Sequence, residues 1–422
     1  MNRFESDVVV VGAGLAGATA ALTLAKRGVS VTLLERDSVA LNRASLRNEG
    51  KIHLGLIYAA EPGAVTARQQ LVGALSFEPV LRDLVGPSIS DVSVGRPFAY
   101  LVPTDSLMTP DALEEHFEML SDLAAKTMAE DRNANYLGRQ PGRLARRMNT
   151  DEVAEHFNPD FFLGAFMTEE LAIDTNELAL VVRKAIADAP RLAFKPEMTV
   201  RQINRTPERI LLEGDGAKGP WSIRASQVVN AAWDTIYDLD TKAGLAPPPG
   251  WLYRLKYRVM ARLPEALEAA PSATLAIGAY GDVVVRPGGL SYLSWYPKGL
   301  QGWTDAIAAP DEWDGPSRGV VDAETFAMIE EGVQSGIGPW MPGIESVTAE
   351  VVDGGAILAH GKTDVDDPTS GLHGRAICGV TSDGNWHSLN PGKLTTAPLH
   401  GAEAAEAVLR SLGAAPEKAY GT

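Results

Sequence analysis

Residues 7–37 read DVVVVGAGLAGATAALTLAKRGVSVTLLERD. Asp7 leads into Val8–Val11, an apolar run of the kind a buried parallel strand needs. Gly12, Gly14 and Gly17 follow in GxGxxG spacing and open an Ala- and Leu-rich stretch, Ala18–Lys26, that reads as a helix. Gly28 closes it as a C-cap, Val29–Leu34 reads as a second strand, and Glu35 ends that strand. Each glycine has a physical task. The first permits the tight turn, the second lets backbone approach a diphosphate, and the third lets helix and strand pack closely. The diphosphate then lies at a helix N-terminus, where free N–H groups favour negative charge. Glu35 stands 21 residues after Gly14, where a carboxylate can accept from both hydroxyls of an adenosine ribose and would repel a 2′-phosphate. A second match to the spacing, Gly214, Gly216 and Gly219, precedes Pro220 and a strand-like run, and reads as a hairpin turn.

The next stretch distinguishes between dinucleotides. A further helix and strand would suit NAD. The chain instead runs through small and polar residues (Ser38, Asn42, Ala44, Ser45) into RNEGKIHLG, residues 47–55, and then into a helix. Such a loop suits a long cofactor folded back over it, with Arg47 and N–H groups at the diphosphate and Lys51 or a nearby N–H at a flavin ring. FAD is the expected cofactor.

The segment SLRNEGKIHLGLIYAAEPGAVTAR resembles that of the D-amino-acid-oxidase-like group of FAD-dependent oxidoreductases. Within the group it is similar to L-2-hydroxyglutarate oxidases and glycerol-3-phosphate dehydrogenases, in which a serine/arginine-containing loop leads to a histidine and glycine beside the flavin. His53 and Gly55 match. Residues 171–189 resemble the passage into the helix before the third strand of the FAD sheet. Residues 198–203 resemble the strand whose valine, here Val200, faces the adenine. Residues 225–239 resemble the apolar strand and turn that come next in the group, with Trp233 where the group usually has glycine. Residues 376–409 resemble the closing strand, glycine turn and helix.

The resemblance implies an α/β fold: a Rossmann-type FAD-binding domain with a parallel sheet, plus a substrate domain on an antiparallel sheet. Residues 1–80, 150–240 and 345–422 are expected in the first, and 81–149 and 241–344 in the second. Residues 251–262 alternate, placing Arg254, Lys256 and Arg258 on a face that reads as solvated, and 274–296 read as a hairpin. Cofactor contacts are expected from Gly12, Gly14, Leu15, Ala16, Gly17, Glu35, Arg36, Ser45, Arg47, Asn48, Lys51, Ile52, His53, Val200, Ala231, Asp383, Gly384 and Asn385.

The expected function is oxidation of a C–N or C–OH bond in a small polar substrate, with hydride transfer to flavin. His53 is the first candidate base, against a histidine simply packed in its loop, and His387 the second. Arg286, with Tyr292, Trp295 and Tyr296 shortly after it, could clamp a carboxylate; the alternative is an exposed arginine beside core aromatics. A flavin monooxygenase reduced by NAD(P)H is the main alternative. A flavin-dependent lipid reductase, a tRNA-modifying flavoprotein and a non-catalytic FAD-stabilised scaffold are the others.

Bulk properties set limits. The net charge of −16, from 38 basic and 54 acidic residues, argues against nucleic-acid and anionic-lipid partners. The single cysteine, Cys378, permits neither an internal disulfide nor a cysteine-based metal cluster, and no histidine spacing suggests a metal. No signal peptide or membrane span is read, so a cytoplasmic protein is expected.

Overall fold

The computed structural model describes residues 2–361 and 377–414. His373, Ala376 and parts of the expected 345–422 segment lie outside them.

The first sheet has eight strands. Its centre is β1 (Asn2–Val11), flanked in parallel by β2 (Val31–Leu34) and β11 (Gly219–Asn230). Val8, Val9 and Val10 are fully buried, as a strand covered on both faces requires: Val8 and Val10 face the helices, and Val9 packs with Val200, Leu212 and Ile223. Beyond β2 lies β8 (Leu192–Lys195), and beyond β11 lies β19 (Trp386–Asn390), both in parallel. The edge strand β18 (Gly379–Asp383) is antiparallel to β19. A meander of β9 (Met198–Arg205) and β10 (Ile210–Gly216) joins β11, and its last turn is the second glycine motif. The helix Leu15–Lys26 packs against the closing helix Ala397–Ser411. A Cβ on Gly401 would lie 2.5 Å from the carbonyl of Ala16, so glycine allows that approach.

The second sheet has nine strands. They run in the order β16 (Leu300–Thr304), β12 (Trp251–Ala261), β15 (Ser291–Trp295), β14 (Gly281–Val284), β13 (Ser272–Leu275), β4 (Phe98–Pro103), β6 (Phe162–Thr168) and β5 (Ala145–Arg147). The ninth, β17 (Ala349–His360), pairs along the whole of β12. All neighbours are antiparallel except β13 and β4. Strands β6 and β17 thus fall in this sheet, although their residues were expected in the nucleotide-binding part. Their place is set by pairing with β4 and β12, distant in the chain, so sequence alone groups them with the adjoining nucleotide-binding segments.

A small ladder of β3 (Lys51–Ile52) and β7 (Leu171–Ala172) stands apart from both sheets. It holds the RNEGKIHLG segment near residues 170–173. Among the described residues, no helix is long and apolar enough to cross a membrane.

Candidate active site

Ligands in open parallel sheets bind beyond the carboxyl ends of the strands. Here β1, β11 and β19 run parallel and end at Val11, Asn230 and Asn390. The turns after them, Gly12–Gly17, Ala231–Ala232 and Pro391–Leu394, line one cavity of about 650 Å³ between the sheets.

One part of the cavity has nucleotide-binding chemistry. The helix Leu15–Lys26 begins at Gly14, a residue with no side chain to cap it. Ser45 Oγ accepts from Leu15 N–H at 2.9 Å and fastens the loop 38–55 there. Gly12 has φ of 97°, and a Cβ on it would lie 2.6 Å from the Ala231 carbonyl. A Cβ on Gly17 would lie 2.0 Å from the Gly12 carbonyl. Glu35 accepts from Ala13 N–H at 2.9 Å and Asp37 N–H at 3.0 Å, so its carboxylate is pinned at the cavity wall. Val200 lines the same wall, and Arg36, also lining, pairs with Asp234.

The loop 38–55 is built from ion pairs. Arg43 forks onto Asp37 at 2.8 and 2.9 Å and reaches Asp314 at 2.7 Å. Asp353 on β17 takes Arg258 from β12 at 2.6 Å and lies 3.2 Å from Arg47. Arg258 also donates to the carbonyls of Leu46 and Asn48 at 3.1 and 2.8 Å. Arg47 Nη1 is buried in this cavity wall without a hydrogen-bond partner. A helix N-terminus opening at a glycine and an unmet guanidinium nitrogen on one cavity are the complement of a diphosphate, so the residues present fit FAD.

A second group of residues lies at the part of the cavity bounded by β12 and β15. Arg254 and Lys256 point into it, together with Tyr292, Tyr296 and Lys393. Lys256 Nζ lies 4.0 Å from the centre of the Tyr296 ring. Burial opposes the charge on Lys256, but Tyr292, Tyr296 and Glu49 overcome that and raise its pKa. Burial alone would push the Tyr296 phenol up; Lys256, Lys393 and Arg254 outweigh it and bring the phenol below its usual range. The alternating face read as solvated is therefore a cavity wall: Arg254 and Arg258 are 2% and 6% exposed. The alternation is visible in the sequence, but the loop 42–53 and the turn 391–394 close over what would otherwise be the wet face.

His53 and Glu49 form the floor. His53 is 4% exposed and burial, then Lys393, lowers its pKa, so the ring is neutral. Glu49 is held well below the usual carboxylate range; burial opposes this, and His53, Lys393 and Lys256 prevail.

Of the expected contacts, Gly12, Gly14, Leu15, Ala16, Gly17, Glu35, Arg36, Ser45, Arg47, Asn48, Lys51, His53, Val200 and Ala231 line this cavity. Six expected site residues do not. Ile52 is buried in the core. The Lys51 ammonium, although its residue lines the cavity, is engaged by Asp282 at 2.7 Å and by Thr274, and lies 4.0 Å from the Phe98 ring centre. Asp383, Gly384 and Asn385 form the tip between β18 and β19, at the amino end of β19, where Arg205 binds Asp383 and Asn385, each at 2.9 Å. His387 is fully buried between Ser382 at 2.8 Å and Gln227 at 3.0 Å. The cavity turn comes one strand later, at Pro391-Gly392-Lys393; the glycine turn expected at the cofactor opens β19, whereas the one at the cavity closes it. Arg286 is neither a clamp in the cavity nor exposed. It is 8% exposed and donates to the carbonyls of Ile173 at 2.9 Å and Glu49 at 3.1 Å. Gly50, with φ of 75°, makes room, since a Cβ there would lie 2.1 Å from the Ile173 carbonyl.

Sequence comparison agrees with this geometry. The chain matches the family described as FAD dependent oxidoreductase over residues 7–407, and it belongs to that family. It is an FAD-dependent oxidoreductase whose cofactor is FAD. It is 33% identical over 81 residues to a glycerol 3-phosphate dehydrogenase of Caloramator mitchellensis. It is 46% identical over 73 residues to a tRNA 5-methylaminomethyl-2-thiouridine biosynthesis bifunctional protein of Chromohalobacter salexigens. These alignments span only 16% and 10% of those relatives. Glycine oxidase from Geobacillus kaustophilus superposes with a TM-score of 0.69 at 17% identity, covering 99% of this chain and 96% of that one. L-alpha-glycerophosphate oxidase from Mycoplasma pneumoniae, solved with FAD bound, gives 0.61 at 16% identity, covering 99% and 98%. At these identities the likeness is one of fold.

Proposed function

We propose that the protein oxidises a small anionic substrate at a carbon bearing nitrogen or oxygen. The carrying observation is the convergence of Arg254, Lys256 and Lys393 on Tyr296 in the cavity. Cations gathered in a water-poor wall suit a carboxylate or phosphate, which would repay their burial. The glycine oxidase and glycerophosphate oxidase that share the fold both have names that point to substrates of this kind.

Bound FAD supplies the hydride acceptor. The chain's residues do the rest. The helix start at Gly14, Arg47 and Glu35 would hold the diphosphate and ribose. Arg254, Lys256 and Lys393 would fix the substrate's anionic group. His53, neutral and on the cavity floor, would take the proton from its N–H or O–H. Small-molecule oxidation of this kind requires neither nucleic acid nor membrane.

The test is the visible spectrum of the holoprotein under anaerobic conditions, with amino acids, hydroxy acids, sugar acids and phosphate esters added in turn, then NADH and NADPH. Bleaching of the flavin band by an anionic substrate, and not by its uncharged analogue, is expected. Prompt bleaching by either nicotinamide cofactor would replace this reading with the monooxygenase one.

A further inference from the structure

Trp233 stands where the resembled group usually has glycine, and its backbone keeps a conformation that favours glycine, with φ of 34°. A bulky residue rarely holds a positive φ, and one that does is held there by its surroundings. Those surroundings belong to both sheets. Ala231 and Ala232, just before it, close on the first glycine turn: a Cβ on Gly12 would lie 2.6 Å from the Ala231 carbonyl and 3.1 Å from the Ala232 Cα. The indole instead packs with the apolar core of the second sheet, and its N–H donates to the carbonyl of Ala356 on β17 at 2.7 Å. Asp234, the next residue, pairs with Arg36, and its carbonyl accepts from Ala309 N–H at 2.9 Å.

The bond to Ala356 reaches the substrate end of the cavity through a ladder. Ala356 pairs with Leu255 on β12, and its neighbours Ile357 and Gly355 pair with Arg254 and Lys256. Trp233, Gly355, Ala356 and Ile357 all line the cavity. The cofactor loop closes on the same stretch of β17, where a Cβ on Gly355 would lie 3.1 Å from the Arg47 carbonyl. Paired strands keep their spacing through backbone hydrogen bonds, so holding Ala356 holds the strand beside it. One side chain thus joins the turn packed on Gly12 to the ladder that carries two of the cavity's cations.

We propose that Trp233 is a positioning residue: it sets the distance between the nucleotide-binding turn and the cations Arg254 and Lys256, acting through Ala356 and the β12–β17 ladder. The role of those cations in holding substrate rests on the functional reading above; the link between the sheets does not. Phenylalanine at 233 keeps a ring but removes the bond to Ala356. Glycine is at ease at that φ and removes bond and ring together. Both variants leave the side chains of Arg254 and Lys256 untouched, so any change in how those cations bind an anion arises from their placement.

The experiment compares the FAD-loaded parent with Trp233→Phe, and with Trp233→Gly if the phenylalanine variant does not fold. Hydrogen exchange read by mass spectrometry should quicken roughly 3- to 10-fold, the equivalent of one hydrogen bond, in peptides covering 253–257 and 355–358, and stay unchanged in β1 and β2. Exchange that is unmoved, or that quickens everywhere alike, overturns the link. Placement of the cations is read with acetate or inorganic phosphate, whichever the parent binds, by perturbation of the flavin band. The dissociation constant of that probe should rise roughly 3- to 10-fold in Trp233→Phe. In a Lys256→Met background the same change should have at least about 2-fold less effect, beyond the scatter expected of independent sites. An equal factor in both backgrounds overturns the positioning role. With a substrate in hand, KM should rise by the factor seen with the probe while kcat changes less. If the parent binds neither probe, the anionic-substrate reading fails, and hydrogen exchange still decides whether Trp233 links the sheets.

Discussion

Arg258 on β12 grips Asp353 on β17 through two hydrogen bonds, Nε to Oδ1 at 2.6 Å and Nη2 to Oδ2 at 3.2 Å. The same carboxylate faces Arg47 of the cofactor loop at 3.2 Å. One buried anion therefore balances two buried cations. Asp353→Asn should cost about 3–5 kcal/mol, the range for stranding a buried charge. Urea unfolding of the FAD-loaded protein measures it, and a midpoint within error of the parent's would refute it. Flavin retention on gel filtration should fall in parallel, because Arg47 loses its anchor.

Arg286 is expected to act through backbone alone. It holds the carbonyls of Glu49 and Ile173, on the two segments that carry His53 and Glu170. Arg286→Ala should destabilise by about 2–4 kcal/mol, since two charge-assisted bonds are lost from the interior. A substrate clamp would instead raise KM with stability intact. Thermal unfolding beside steady-state kinetics separates the two.

His387 should shape acid stability. Burial, then Arg205 and Arg410, depress its pKa to about 4. The unfolded chain would protonate it near the ordinary value of about 6.5. Between those pH values the unfolded state binds more protons, so stability falls as pH drops through that window. The full loss is about 3 kcal/mol below it. His387→Gln, compared with the parent in urea at pH 7 and pH 4.5, should show a smaller decline; equal declines would exclude the role.

Lys256→Met keeps the length of the side chain and removes its charge. If it helps fix an anionic group, KM should rise roughly 10- to 100-fold, the equivalent of a charged hydrogen bond, with kcat changed less. The Tyr296 phenol should titrate at higher pH, because the cation at 4.0 Å that depresses it is gone. Ultraviolet difference titration reads that shift, and an unchanged phenol would contradict it.

The nucleotide-binding half was legible because its signals are local. Gly12 to Glu35 specify strand, turn, helix and strand within one short window, and the backbone obeys that reading. The other half of the cavity is non-local. Arg254 and Lys256 alternate on β12 as their spacing says, but only the packing of that face against the loop 42–53 and the turn 391–394, both far away in the chain, decides what covers them. The same blindness misplaced the closing turn. SDGN and NPGK are both good turns, and which end of β19 each occupies depends on β19 running parallel to β11. The approach of Glu170 to His53, at 3.8 Å, carried no sequence signal, because the two segments meet only in the fold, at the β3–β7 ladder.

Arg258 and Arg286 both stand at the antiparallel sheet, yet between them they hold the carbonyls of Leu46, Asn48 and Glu49 in the loop that shapes the cofactor cavity. The nucleotide-binding half is thus not a self-sufficient cassette. Grafted onto a foreign partner, it would bring its glycines but leave behind the donors that mould its own loop. Recombination among relatives should therefore succeed only where those two arginines and the loop are inherited as a set.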